Sequence, residues 1–432
     1  MDNAEIVFSI CPIILNIVSV LSMLDSCITL LTVHQQMQQD ILLCLGTAKE
    51  NPHVLKAKRK ITSRRGRFRS CWQKPGRTER WWSNLWLGEL DLQEWNLNLR
   101  MSKDDFMKLV QELEPFIKPN FATPNWTAVS VERKVVALTL YFLKDTGSIR
   151  MTANSFGVAT PTFSKTVNEV CRAISKYLGP KYIKLPQSSE EMRELIIRFE
   201  SKHGFPQAFG CIDGTHIAIQ QPLENSHDYF SYKMKYTLNI QAVCDYRGLF
   251  LDVDCRWPGS VHDAKVFSNS KINKMLRENK LPSVYRNLVP GHDKVSSLLL
   301  ADPAYPLLPY CMTEFECCKS NEEVIFNNLL RYSRNQIECA FGRLKARWQK
   351  LNTVLNLKNE NVPYMIYACF VLHNFCQLHG IHDDDDGVLK QIKYDREVQP
   401  DIQQDLIFSC NTAEGTSTRK TIVAFLKEHT EL

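Results

Sequence analysis

Hydrophobic spacing changes character near the middle of the chain. From Leu87 to about Tyr177 apolar residues recur three and four positions apart, the period of a helix buried along one side. Ser102 is placed to cap a helix that carries Phe106, Leu109, Val110 and Leu113 and that Pro115 should end. Val131–Leu143 predicts a second helix and Ile149–Phe156 a third; after Gly157 a fourth carries Phe163, Val167, Val170, Ile174 and Leu178. Ala153, Gly157 and Phe163 match a helix-turn-helix, in which a small residue lets two helices approach and a glycine permits the tight turn. Pro186–Lys202 reads as a further helix. Beyond Gly204-Phe-Pro206 the pattern changes, and strands are predicted at Phe209–Ile219, Tyr236–Asp245, Leu249–Cys255 and Leu298–Ala301. Helices return around Glu338 and from Pro363 to Cys376, the latter apolar almost all round. Three meandering strands, a fourth beyond a helix, and more helices describe a mixed α/β sheet covered on its faces.

These changes divide the chain into residues 1–50, an apolar helical segment; 51–85, a basic and aromatic linker; 86–200, an all-α region with the helix-turn-helix at 148–178; 201–380, the α/β domain; and 381–432, an acidic tail with a short final helix. Ile6 to Leu24 is uncharged and long enough to cross a bilayer. Asp2 and Glu5 precede it, however, and Pro12, Asn16 and three serines interrupt it. Its apolar residues fall three or four apart, so a docking helix, or a dimerisation helix that would make a homo-oligomer, is expected in place of a membrane span.

The formal charge of +6 is concentrated in one segment, because eleven Lys or Arg face a single acid, Glu79, between Lys56 and Arg80. Lys58, Arg59, Lys60, Arg64 and Arg65 can displace counterions from phosphates, and Trp72, Trp81 and Trp82 can stack on bases or anchor the segment on the next domain. A nuclear-import signal has the same composition, so the nucleus is the expected compartment and the cytoplasm the alternative. On the second helix of the helix-turn-helix, Thr162 and Lys165 are polar residues able to meet DNA. Fifteen cysteines, with no CxxC pair, suit no secreted disulfide framework. His373, Cys376, His379 and His382 lack the second ligand pair of a zinc finger and read as ordinary residues at a helix end.

Asp213 is the anomaly of the first strand, a carboxylate inside an apolar run with Gly214 directly after it. An unpaired buried charge costs several kcal/mol or more, so such an acid needs a partner or a metal. Asp302 ends another short hydrophobic strand, and Glu338 lies on a helix where Arg334, one turn back, offers a surface ion pair. Acids brought together from strand ends and a neighbouring helix can hold two oxygen-seeking cations about 3.5–4 Å apart that activate water or a 3′-hydroxyl at a phosphodiester. Gly214 would let a phosphate backbone come close to the strand end. Asp263 opens a helix, where its charge would gain from the free amides. His216, His262 and Trp257 read as support.

Gly210-Cys-Ile-Asp-Gly-Thr-His216, Trp257-Pro-Gly-Ser-Val-His-Asp-Ala-Lys-Val-Phe267, Ala301-Asp-Pro-Ala-Tyr-Pro306, Ile337-Glu-Cys-Ala-Phe-Gly342 and Val371-Leu-His-Asn-Phe375 together resemble the PIF/Harbinger DDE transposases and the Harbinger transposase-derived nucleases. The likeness runs from about Leu87 to Cys376. It implies a ribonuclease-H-like mixed sheet flanked by helices, cleaving DNA phosphodiesters with magnesium or manganese. It places the catalytic acids at Asp213, Asp302 and Glu338, with thirty-five residues between the last two, and Asp263 with them at the metals. It also implies a separate Myb-like DNA-binding partner protein. Cys339 stands where the family usually has Arg or Asn, which leaves the glutamate in place. The alternative is a domesticated regulator that binds DNA or a partner and has no nuclease activity.

Overall fold

The computed structural model describes residue 78 and residues 80–88, 92–117, 131–381, 385–397 and 411–430. The apolar N-terminal segment and the basic residues Lys58, Arg59, Lys60, Arg64 and Arg65 lie outside the described residues. The described part begins with α1 (Arg80–Leu87), α2 (Leu92–Leu99), α3 (Lys103–Ile117), α4 (Val131–Lys144), α5 (Ile149–Ser155) and α6 (Thr160–Ala173). Trp82 is buried against Phe156 with ring centroids 5.8 Å apart, and Trp95 against Phe106 at 5.3 Å. Trp81 meets Tyr141 and Phe156 edge-on. The two tryptophans that follow the basic run therefore anchor the helical region and are not free to stack on bases. Ser102 accepts from the Asp105 N–H as the cap should, but α3 runs through Pro115 to Ile117. Pro115 leaves the Gln111 carbonyl without its helical amide, and the helix closes two residues later. The segment expected as a helix-turn-helix forms α5 and α6, joined at Gly157 with φ +65°, and Thr162 and Lys165 are exposed on α6.

After α7 (Ser189–His203) come β1 (Ala208–Ala218), β2 (Thr237–Cys244) and β3 (Phe250–Pro258), then α8 (Asp263–Ser268), α9 (Lys271–Arg277), β4 (Leu298–Leu300) and β5 (Cys311–Met312). The sheet order is β3-β2-β1-β4-β5, with β1, β2 and β3 antiparallel and β4 and β5 added in parallel. Alternation along the strands gives the sheet two apolar faces. Cys211, Ile217, Ile240 and Ala242 join one core with Ile337, Phe341 and Phe370. Ile212, Val243 and Leu299 join the other with Met192, Ile196 and Phe267. The first face is covered by α10 (Asn321–Arg347) and α11 (Val362–Leu378), the second by α7, α8 and α9.

Asn374 of α11 clamps this arrangement: its Oδ1 accepts from the Phe250 N–H at 2.9 Å, and its Nδ2 donates to the Phe250 carbonyl at 2.7 Å and the Tyr182 carbonyl at 2.8 Å. The tail departs from expectation. From Asp385 it is not a solvated linker but a helix, α12 (Asp385–Glu397), packed on α10. Ile392 sits where a Cβ at Gly342 would be, 2.5 Å from its Cγ1, and Lys345 pairs with Asp395 at 2.9 Å. The final helix, α13 (Ala413–Thr430), has 18 residues and is not short. None of the described helices is long and apolar enough to cross a membrane.

Candidate active site

Strand register brings the first two acids level. Cys211 of β1 aligns with Leu300 of its parallel neighbour β4, so Asp213, within β1, and Asp302, just beyond the end of β4, lie level, each two residues past that pair. Asp213 is buried and points to the face covered by α10, where Arg334 Nη1 donates to its Oδ2 at 3.0 Å. Its own Oδ1 accepts from the Gly214 N–H at 2.8 Å. The same guanidinium reaches Glu338 Oε1 through Nη2 at 2.9 Å, so Arg334 bridges the strand acid and the helix acid. Glu338 has a second partner from the tail: Arg396 donates through Nε and Nη2 to Oε2 at 3.0 and 2.8 Å, and Nη2 also reaches Asn335 Oδ1 at 2.7 Å.

Asp263 arrives from the other face of the sheet, at the first turn of α8. Asn239 of β2 donates to its Oδ1 at 2.8 Å. A Cβ at position 214 would lie 2.5 Å from the same oxygen, so glycine is required there to seat Asp263. This gives the glycine an internal reason beside the expected approach of a phosphate.

The three aspartates raise one another. Burial lifts Asp213 above the ordinary carboxylate range, Arg334 pulls it down and Asp302 pushes it back up. Burial and then Asp263 lift Asp302, against Arg334. Asp263 is pushed up to about 6, first by burial, with the Asn239 hydrogen bond opposing and Asp213 adding to the rise. Tyr305, three residues after Asp302, is 3% exposed, and its hydroxyl has no hydrogen-bond partner among the described residues. Burial, then the charges of Asp263, Asp213 and Asp302, raise this phenol.

An all-oxygen donor set of crowded carboxylates suits a hard divalent cation, and the orphaned Tyr305 hydroxyl beside them is a polar atom waiting for a partner. In the arrangement described, Arg334 supplies the positive charge, and among the described residues no three His, Cys, Asp or Glu side chains form a ligating group. The described members of the histidine cluster are engaged otherwise: His373 Nε2 bonds the Gly248 carbonyl at 3.0 Å and His379 Nδ1 the Phe375 carbonyl at 2.8 Å. Trp257 donates to Asp254, His216 Nδ1 bonds the Thr237 hydroxyl, and His262 occupies the N-cap position of α8 without a side-chain capping bond.

Sequence reasoning saw Arg334 as a partner of Glu338 but not of Asp213, and it missed Asn239, Tyr305 and Arg396. Only Tyr305 carried a local signal, its place in the Asp302 segment.

Residues 212–374 match the DDE superfamily endonuclease family. The chain is 25% identical over 305 residues to "Protein ALP1-like" of Arabidopsis thaliana, covering 68% of this chain and 74% of that protein. It is 27% identical over 257 residues to "Putative nuclease HARBI1" of Homo sapiens, covering 59% of this chain and 69% of that protein. No solved structure matches. The stretch similar to a DDE superfamily endonuclease thus frames Asp213, Asp263, Asp302 and Glu338, and the relatives it resembles are Harbinger transposase-derived proteins.

Proposed function

We propose that the chain is a metal-dependent DNA nuclease, in which a ribonuclease-H-like sheet presents Asp213 and Asp302 and α10 presents Glu338 as the catalytic acids. The observation that carries this reading is the convergence of Asp213 and Asp302 through the β1–β4 register, with Asp263 seated against Gly214 and Arg334 bridging Asp213 to Glu338. Like charges are assembled at a cost only where a cation or a charge-bearing reaction uses them. Asp213, Asp263, Asp302 and Glu338 would hold magnesium or manganese, which when bound supplies charge neutralisation at the phosphodiester and lowers the pKa of a coordinated water or 3′-hydroxyl.

The chain's own residues do the rest. The β1–β4 register fixes Asp213 against Asp302, Gly214 makes room for Asp263, and Asn239 orients that carboxylate by its amide. Tyr305 keeps a buried donor beside the group, suited to orient a carboxylate oxygen or a water. Arg334 favours the ionised form of Asp213, opposing its burial.

Recognition of DNA belongs to the same proposal: Lys58, Arg59, Lys60, Arg64 and Arg65 with Thr162 and Lys165 would contact it, and a Myb-like partner protein in the nucleus would assist. The purified full chain should nick duplex DNA with magnesium or manganese and not with chelator, and Asp213→Asn should reduce nicking by about 10²–10³. Metal-independent nicking, or none at all, would overturn the reading. A binding-only regulator is the second reading, favoured by one feature: both oxygens of Glu338 are already taken by arginines. DNA binding without metal-dependent nicking would establish it.

A further inference from the structure

The connection between β1 and β2 ends in a small, internally bonded turn that the nuclease chemistry leaves unused. Phe230 and Tyr236 pair as an antiparallel bridge. Inside that bridge Ser231 donates its N–H and its hydroxyl to the Lys235 carbonyl at 2.9 and 3.0 Å, and the Met234 N–H returns to the Ser231 carbonyl at 3.0 Å. These bonds close the turn, and it sends outward Tyr232, 53% exposed, Met234, 74% exposed, and Lys235. Met234 also holds φ +54°, a left-handed conformation that costs a side-chain-bearing residue and clusters at ligand sites.

The turn stands beside the carboxylates. The Tyr232 ring packs edge-on to His216 at 5.1 Å, His216 lies opposite Asn239 in the β1–β2 ladder, and Asn239 donates to Asp263 at 2.8 Å. Although half of Tyr232 is open to solvent, burial of the remainder and then the charges of Asp263, Asp213 and Asp302 raise its phenol. Lys233 carries its ammonium into the same field. Burial and Lys345 lower it, while Asp395, Asp213 and Asp263 oppose them. An aromatic ring, a thioether and a cation on a bonded turn at the rim of an acidic site are the parts of a stacking platform: every base has a face to lay on a ring, and the cation answers the adjoining phosphate.

Resting on the nuclease reading, we propose that residues 230–236 form a nucleotide-binding platform, with Tyr232 stacking on a DNA base beside the phosphate at the carboxylates, Met234 packing on its neighbour, and Lys233 pairing with a flanking phosphate. Binding is measured on the full chain in chelator, by fluorescence anisotropy with a labelled short duplex over a salt series, so that cleavage does not enter. Tyr232→Ala should weaken binding about tenfold at every salt concentration, and Tyr232→Phe should bind as the parent does. Lys233→Ala should flatten the log–log salt slope by about 0.9. As a readout of proximity, a photoreactive p-benzoylphenylalanine in place of Met234 should crosslink to the duplex, and one in place of Ile197, 58% exposed on α7, should not.

Parent-like binding by Tyr232→Ala, or no crosslink from position 234 in a chain that binds, overturns the platform. If the parent chain still nicks DNA with metal in that case, the nuclease reading stands alone. If the variants behave as expected and nicking never appears, the platform stands and the nuclease reading falls. A parent chain that neither binds nor nicks overturns both.

Discussion

Asp213 and Asp302 are set by the backbone through the register of β1 and β4, and Asp263 by the start of α8, against Gly214. Glu338 is set by side chains: it stands on the flank of α10 with 25% of its side chain exposed, and its two oxygens are divided between Arg334 and Arg396. Moving an aspartate would mean breaking a sheet. Moving the glutamate takes a rotamer change and the loss of ion pairs. The aspartate side is therefore the rigid half of the site, and the glutamate side the half that a cation or a phosphate could rearrange.

The sharpest way to break this comparison is to remove the residue that joins the halves. Arg334→Ala leaves Asp213 buried without its counter-charge, and truncating one partner of such a pair costs about 3–5 kcal/mol. Urea denaturation at neutral pH measures it. Manganese should recover part of the loss, because a divalent cation supplies the missing positive charge, whereas the parent chain, already neutralised by Arg334, should gain less. Unchanged stability of Arg334→Ala would mean that Asp213 does not depend on that guanidinium.

A smaller effect sharpens the rigid half. Tyr305→Phe removes a hydroxyl that has no partner in the fold, so its melting temperature should match the parent's. If that hydroxyl orients a carboxylate or a water at the metal, the manganese concentration for half-maximal nicking should rise about 10- to 100-fold, the usual cost of an outer-shell partner. An unchanged metal dependence would leave Tyr305 as packing against Phe267, where the rings lie 5.6 Å apart.

The same division governs what the sequence disclosed. The two strand aspartates were legible because their signals are local: an acid inside an apolar alternation at Asp213 and an acid ending a short hydrophobic run at Asp302; Gly214 was legible as a place of close approach, but not that Asp263 is what approaches it. Strand positions followed from period two, with ends displaced by one to three residues, except for β5, whose two residues are too short to show a pattern. Arg334 with Glu338 was legible as an i,i+4 pair, but its reach to Asp213 spans 121 positions and leaves no periodic trace. Arg396 was illegible for the same reason, and more so because the tail's acidic composition favours solvent; its helix is held by Ile392 seated over Gly342, a contact that only the fold reveals. Asn374 and His373 were quoted for their resemblance to a family segment, and the fold gives them a structural occupation, tying α11 to the start of β3 and the turn before it.

The least perturbing variant probes the movable half directly. Arg396 is 58% exposed, and ion pairs of that kind contribute less than about 1 kcal/mol, so Arg396→Ala should unfold at nearly the parent's urea midpoint. Its value lies in direction. With Arg396 gone, Glu338 Oε2 loses its partner from α12, while Oε1 keeps Arg334. If the tail arginine withholds the glutamate from a cation, half-maximal nicking should need less manganese, by a factor of a few, and Arg396→Lys, which restores a cation without the forked geometry, should fall between. A requirement for more manganese would reverse the assignment: Arg396 would then position Glu338 for the metal, and α12 would be part of the working site.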